Sequence, residues 1–273
     1  MTTTNTVTIS AETVDLDEWT LQAVSEVKRS PGSIEARLQL FKLYCVQADW
    51  DRALRQLDTL VKIEPESKRQ SELYKNLLLS ERMRELVLSG EREAGSLEGQ
   101  LPAWTESLQR ANALYAAGQE AEGEVQRAQA LNEASARAGH GEMLGDFEWL
   151  ADGDERLGPI CEFICAGGYR WVPFADIELL KVSAPQGLMD LVWAPAQLVV
   201  NGKTWHGYVP ARYPVQSDSD TVFKTGLETA WQQQGEGRYI GQGRKMWISN
   251  VGEYSVFEAG EIQFGAVGDE GEA

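Results

Sequence analysis

From Val14 to about Arg137 apolar residues return at every third or fourth position, as in Leu38, Phe41, Tyr44 and Cys45, and then in Ala53, Leu54, Leu57, Leu60 and Val61. That spacing lines one face of an amphipathic helix. Breakers separate the runs: Ser30-Pro31-Gly32-Ser33, Ala48-Asp49, Glu64-Pro65-Glu66, Gly90, Gly95 to Pro102, and Ala117-Gly118. Helices of roughly 14 residues joined by short turns are predicted, with one longer helix over Ser67 to Ser89. Pro31 and Pro65 stand 34 residues apart, the period of the tetratricopeptide repeat. A shift of 68, twice that period, maps Leu40 onto Leu108, Ala53 onto Ala121, Leu57 onto Val125 and Leu60 onto Ala128. One copy is clear, with Ala36, Leu40, Tyr44, Ala53, Leu57 and Pro65 at the packing positions, and its neighbours are degenerate. The expectation is a tetratricopeptide-like helical domain over residues 14–139. Such a surface either receives a peptide or helix, or packs on the rest of its own chain.

Near residue 140 the pattern changes. Gly139, Gly141 and Gly145 mark a joint, and aromatic and β-branched residues take over. Residues 154–166 predict a helix, apolar at Leu157, Ile160, Phe163 and Ile164 and halted by Gly167-Gly168. Strands are predicted over Ile177 to Ser183, Ala196 to Val200, Thr204 to Val209, Lys245 to Ser249 and Tyr254 to Phe264. Asn201-Gly202 is a two-residue hairpin signal, because both turn positions favour positive φ. No βαβ alternation is present, so residues 140–265 read as an α+β domain around a mostly antiparallel sheet. Residues 1–13 read as a disordered tail and 266–273 as an acidic one.

A net charge of −17, heavier in the C-terminal half, repels phosphate backbones. No Lys/Arg stripe interleaved with aromatics offsets it, so nucleic acid is not an expected partner. No apolar run approaches the roughly 20 residues of a membrane helix. The Thr-rich start shows no secretory signal, and three cysteines are too few for a disulfide framework. A cytoplasmic protein with reduced thiols is expected.

A search for catalytic constellations finds none that converges. His206 lies in a strand between Trp205 and Gly207 with no nucleophile motif around it, and His140 is the only other histidine. Cys161 and Cys165, four apart, lack the further ligands that zinc needs and read as core. The acids Asp146, Glu148, Asp152, Asp154 and Glu155 do not fit a calcium loop, and Asp152 and Asp154 read as helix caps. Gly241-Gln242-Gly243-Arg244 lacks the third glycine of a phosphate loop and reads as a turn entering a strand. No catalytic residue, cofactor or metal is expected. A hydrolase built on His206 with Asp152 and Asp154 stays as the minor alternative.

Five motifs occur in order: Phe147-Glu148-Trp149-Leu150-Ala151-Asp152; Asp154 with Arg156-Leu157-Gly158-Pro159; Tyr169 with Trp171-Val172-Pro173-Phe174; Asp190-Leu191-Val192-Trp193; and Arg212-Tyr213-Pro214. With Asp49-Trp50 and Ala53-Leu54-Arg55-Gln56-Leu57-Asp58 before them, the series resembles the ImpE family, also called TagJ, over roughly residues 15–265. Two departures stand out: Val215 replaces the Gly that usually follows Arg-Tyr-Pro, and a second aromatic is missing before Trp171. The resemblance implies a cytoplasmic, non-enzymatic accessory protein of the bacterial type VI secretion system. Its implied partner is the N-terminal helical segment of the small sheath subunit TssB, with a link to the sheath-recycling ATPase ClpV. The alternative is a scaffold whose helical array holds the ATPase while the second domain is structural. Trp149, Trp171, Phe174 and Trp193 can anchor the second core, and Arg156 can pair with Asp152 or Asp190. The competing reading leaves part of the set exposed, Trp171 and Tyr213 above all, and makes Trp171, Tyr213, Arg212 and Trp193 the partner-binding candidates.

Overall fold

The structure is a computed structural model and describes residues 15–235 and 237–265; both predicted tails, 1–13 and 266–273, lie outside the described residues. The chain first builds helices: α1 (Leu16–Arg29), α2 (Ile34–Val46), α3 (Trp50–Ile63), α4 (Lys68–Leu88), α5 (Trp104–Ala116) and α6 (Glu120–Glu133). Short polar side chains start the first three. Asp15, Ser33 and Asp49 each accept the backbone N–H three residues on. Three helices stop alike. After α2, α4 and α5 a residue with positive φ closes the last turn, and the next N–H reaches back to Tyr44, Leu86 or Leu114. Two of these residues are Gly90 and Gly118, whereas the third is Ala48 at φ 58°. Gly90 has a second reason to be glycine, since a Cβ there would lie 2.3 Å from the Ala113 nitrogen. Consecutive helices pack as the antiparallel pairs α2–α3 and α5–α6, with Ala53 fully buried between neighbours.

Strands follow: β1 (Gly95–Ser96) inside the α4–α5 connection, then β2 (Gly139–Gly141), β3 (Gly145–Phe147), β4 (Leu150–Asp152), β5 (Ile160–Cys165), β6 (Gly168–Pro173), β7 (Ile177–Val182), β8 (Trp193–Val200) and β9 (Lys203–Pro210). A short helix α7 (Thr221–Lys224) precedes the hairpin β10 (Thr229–Gln234) and β11 (Arg238–Gly243). The chain closes with β12 (Met246–Ser249), β13 (Glu253–Ser255), α8 (Val256–Ala259) and β14 (Glu261–Phe264). Nine strands form one sheet in the order β1-β6-β5-β9-β8-β7-β14-β2-β3, antiparallel except where β1 joins β6. A second sheet runs β13-β12-β4, and β10-β11 stand as a pair. The fold is mixed α+β, with a helical N-terminal region and a largely antiparallel sheet, as expected.

The predicted hairpin is present: Asn201 and Gly202 have φ 51° and 68° between β8 and β9. The helix predicted over 154–166 is not. Residues 154–159 form a turn and Ile160–Cys165 is strand β5, paired with β6 and β9. An apolar run buried on both faces carries no period of two, which is why it imitates a helix. The β5–β6 hairpin accordingly turns at Ala166-Gly167, and Gly167 and Gly168, the first residue of β6, both have positive φ. The strand expected over Tyr254 to Phe264 is interrupted by α8, where Ser255 and Glu258 form a reciprocal capping box. Gly241 to Gly243 belong to β11 rather than to a turn. A Cβ at Gly241 would strike the Tyr213 ring at 2.3 Å, so glycine is needed for close approach.

The nine-stranded sheet is covered on both faces. Ile160, Ile164, Tyr169, Trp171 and Trp193 join Phe41, Leu43, Leu57, Leu77, Leu78 and Val87 of the helices in one apolar cluster. Phe163, Val172, Phe174, Leu180, Leu198 and Ile262 pack on the other face with Trp247 and Val256. Trp171, Phe174 and Trp193 are core as one reading held, but Trp149 is 36% exposed and anchors none of it.

Candidate functional site

On the helix-facing side of the sheet, apolar packing gives way to buried charge. Glu81 and Arg84 lie one turn apart on α4, and Glu162 points toward them from β5 between Ile160 and Ile164. Arg84 grips Glu162 with two parallel bonds, Nε to Oε1 at 2.7 Å and Nη2 to Oε2 at 2.9 Å. It also reaches Glu81 at 3.2 Å and the Arg212 carbonyl at 3.0 Å. Lys245, fully buried, bridges Glu162 at 2.7 Å and Asp152 of β4. Tyr169 donates to Glu162, Trp171 Nε1 donates to the Tyr169 hydroxyl, and Trp193 Nε1 donates to Glu81 at 2.8 Å. The Tyr213 hydroxyl donates to Asp152 at 3.0 Å and accepts from the Met246 N–H. The chain thus links α4 to both sheets through side chains that water does not reach.

The protonation pattern follows from this packing. Burial pushes Asp152 up to about 6 against the pull of Lys245. Burial acts on Glu162 in the same sense, but Arg84 and Lys245 together hold its carboxyl well below the usual range. The same two carboxylates keep Lys245 charged despite its burial. Asp154, beside the network, is held low by Arg156, which binds it through Nε and Nη2, and by the Gly241 N–H.

Arg212 makes a different join. Its guanidinium donates to the Cys45 and Val46 carbonyls at the C-terminal end of α2, at 2.8 and 2.5 Å, and to the Lys224 carbonyl. A cation there satisfies carbonyls that the helix leaves open and meets the negative end of its dipole.

These positions correct several expectations. Trp171, Tyr213, Arg212 and Trp193 are all buried, at 0%, 0%, 3% and 1% exposure, so the reading that Trp171 and Tyr213 stay exposed fails. Each has a polar handle spent on an internal partner. Asp152 and Asp154 cap no helix: one pairs with Lys245, the other with Arg156, and Arg156 binds neither Asp152 nor Asp190 as its ion pair. His206 sits opposite Gln197 on the exposed part of β9, in a shallow cleft with Lys181, Ser183, Pro195 and Tyr208, apart from the buried acids. Cys161 is buried and Cys165 half-buried on β5, and among the described residues no three His, Cys, Asp or Glu gather as a metal site.

Glu81, Arg84, Glu162 and Lys245 were missed by sequence reasoning. A signal existed for one of them, a charge inside an apolar run: Ile160-Cys161-Glu162-Phe163-Ile164. Such a charge needs a buried partner.

No helix among the described residues is long and apolar enough to cross a membrane. A profile of the ImpE protein family matches residues 145–263. The chain is 33% identical over 249 residues, 89% of its length and 86% of the relative's, to the type VI secretion system accessory component TagJ of Pseudomonas aeruginosa. The crystal structure of protein VPA1032 from Vibrio parahaemolyticus superposes with a TM-score of 0.83 at 24% identity, covering 91% of this chain and 93% of that one, and so shares the fold. The ion pairs of Arg84, Glu162, Lys245 and Asp152 form an ionic seam between α4 and the sheets, and the chain belongs to the ImpE/TagJ family of type VI secretion accessory components.

Proposed function

We propose that this chain is a non-enzymatic adaptor of the type VI secretion system that binds the N-terminal helical segment of the small sheath subunit TssB in the cytoplasm and is linked through the sheath to ClpV. The observation that carries the reading is its 33% identity, across 89% of the chain, to an accessory component of that system. The physical setting supports it. The acids and bases with the strongest mutual contacts are committed to one another in the seam, buried where no substrate touches them. Helices paired as α2–α3 and α5–α6, with small residues such as Ala53 at the crossing, suit a tetratricopeptide-like array. That array has an open groove between α1 and α2, lined by Trp19, Gln22, Ala23, Glu26, Gln39 and Leu43, with the mixed character an amphipathic helix requires. The buried candidates Trp171, Tyr213, Arg212 and Trp193 would act there by fixing the array on the sheet rather than by touching the partner.

The test is calorimetric titration of the full chain with a synthetic peptide of the TssB N-terminal segment. Saturable one-to-one binding that is lost in Gln22→Lys/Gln39→Lys, two exposed positions of the groove, with folding intact by circular dichroism, is expected. A folded chain that ignores the peptide but binds ClpV would replace the reading with the ATPase scaffold.

A further inference from the structure

The second sheet, β13-β12-β4, turns one face to the core, where Leu150 and Trp247 are buried. Its outer face is apolar as well, and neither core claims it. Alternation along β4 and the pairing of Ile248 with Ala151 turn these two residues outward, with Met246 on the same side of β12. All three are half-buried, and none belongs to either apolar cluster. Tryptophans stand at the two ends. Trp149 precedes β4 and is 36% exposed; the neighbouring Glu148 N–H donates to Asn250 Oδ1 at 2.8 Å, which keeps this segment beside the β12–β13 turn and its exposed Val251. Trp231 of β10, 38% exposed, lies over Gly153, where a Cβ would come within 2.4 Å of its ring. The strand from Trp149 to Gly153 sets the two indoles on anchor points roughly 13 Å apart, with Ala151, Ile248 and Met246 as the floor between them.

We propose that this outer face is a docking surface for an apolar segment of a partner protein flanked by lysine or arginine. Two exposed tryptophans around an aliphatic floor, rimmed by polar groups, form the kind of patch that carries binding energy when a partner covers it. Charge chooses among the occupants. Glu148 beside Trp149 and Glu253, the cross-strand neighbour of Ile248, are both exposed, and neither forms an ion pair among the described residues. Arg244, which precedes Met246 on the same side of the chain, is committed to the Gly226 carbonyl and lies over the Phe257 ring. A second copy of this chain would bring the same two acids and a further net charge of −17, and anionic lipid headgroups meet the same repulsion. Basic flanks on the incoming segment reverse its sign. The surface does not rest on the sheath reading above, because it lies on the second sheet and not in the α1–α2 groove.

The experiment titrates the full chain with a synthetic amphipathic peptide of leucine and lysine and, separately, with its leucine–glutamate counterpart, following the indole N–H resonances of the tryptophans. The leucine–lysine peptide is expected to shift those of Trp149 and Trp231 saturably while those of the buried Trp171, Trp193 and Trp247 stay in place, and the leucine–glutamate peptide to shift none. Trp149→Ala should weaken binding about tenfold or more. Glu148→Lys/Glu253→Lys, at exposed positions outside the core, should weaken it by a similar factor and decides the matter if the alanine variant does not fold. Gln22→Lys/Gln39→Lys should bind this peptide as the native chain does, so that the surface and the sheath reading fail separately. Shifts spread evenly over the indoles, or equal binding of both peptides, overturn the proposal. A dimer in sedimentation that Trp149→Ala abolishes would give the face to a second copy, and cosedimentation with phosphatidylglycerol vesicles that the same substitution abolishes would give it to a membrane; either result overturns its assignment to a basic partner segment.

Discussion

The two faces of the nine-stranded sheet solve the same problem differently. The face toward β4, β12 and β13 is closed by Phe163, Phe174, Leu180, Leu198 and Trp247, with aromatic rings stacked edge to face, Phe174 against Trp247 at 5.7 Å. The face toward the helices is closed by apolar side chains too, but α4 is tied down through Arg84, Glu162 and Lys245. Apolar burial is non-directional and tolerates sliding, whereas a two-pronged Arg–carboxylate pair accepts one geometry. The contrast teaches that area holds the sheets together, while the ionic seam sets where the helical array sits. Arg212 adds a second fixed point on α2.

Substitutions can break this contrast. The largest effect is expected at Glu162→Gln, which leaves Arg84 and Lys245 facing each other in the core, at a cost of ~3–5 kcal/mol in urea unfolding. Leu198→Ala on the other face removes apolar contacts alone and should cost ~2–4 kcal/mol, with no dependence on pH between 5 and 8. That independence of pH separates the apolar face from the ionic seam.

The pH profile itself follows from the directions found. Asp152, raised to about 6 in the folded chain against about 3.8 in an unfolded one, binds its proton more tightly when folded. It therefore favours folding increasingly as pH falls from 7 toward 4. Glu162 and Asp154 are held low, so their contribution is present above about pH 4.5 and fades as pH falls through the carboxylate range. Stability should rise on going from pH 7 to about 5 and drop below 4, and Asp152→Asn should flatten the first limb. A profile that falls steadily from pH 7 to 4 would reverse the sign assigned to Asp152.

The smallest effect sharpens the helical side. Ala48 closes α2 at φ 58°, where Gly90 and Gly118 do the same work for α4 and α5. Ala48→Gly should stabilise the chain by ~1 kcal/mol, read as a higher urea midpoint at unchanged slope.

Much of this architecture is legible in the sequence, and the illegible part has a common cause. The helices read well because each has one wet face, and Asn201-Gly202 reads well because its chemistry is local. Strand β5 reads as helix because both of its faces are covered, a fact set by α4 and the second sheet rather than by its own residues. The motif residues of the candidate site were found, but their setting was not. Trp171 and Tyr213 look alike as surface anchors or core, and only the partners Tyr169 and Asp152, brought in by long-range pairing, decide for core. Glu81 and Arg84 sit on a helix rich in charge, where nothing local distinguishes a buried pair from a solvated one.

The central claim, that the Arg84–Glu162 pair fixes the helical array on the sheet, is tested most directly by a double-mutant cycle. Arg84→Met, Glu162→Gln and the combined variant would be unfolded in urea as full chains, following tryptophan fluorescence, with six of the nine tryptophans in the strand-bearing half, and circular dichroism at the helical band. The account predicts a coupling of at least ~2 kcal/mol between the two positions and coincident transitions for both probes in the native chain. Additive losses within ~0.5 kcal/mol, with the helical signal melting separately from the fluorescence, would contradict it.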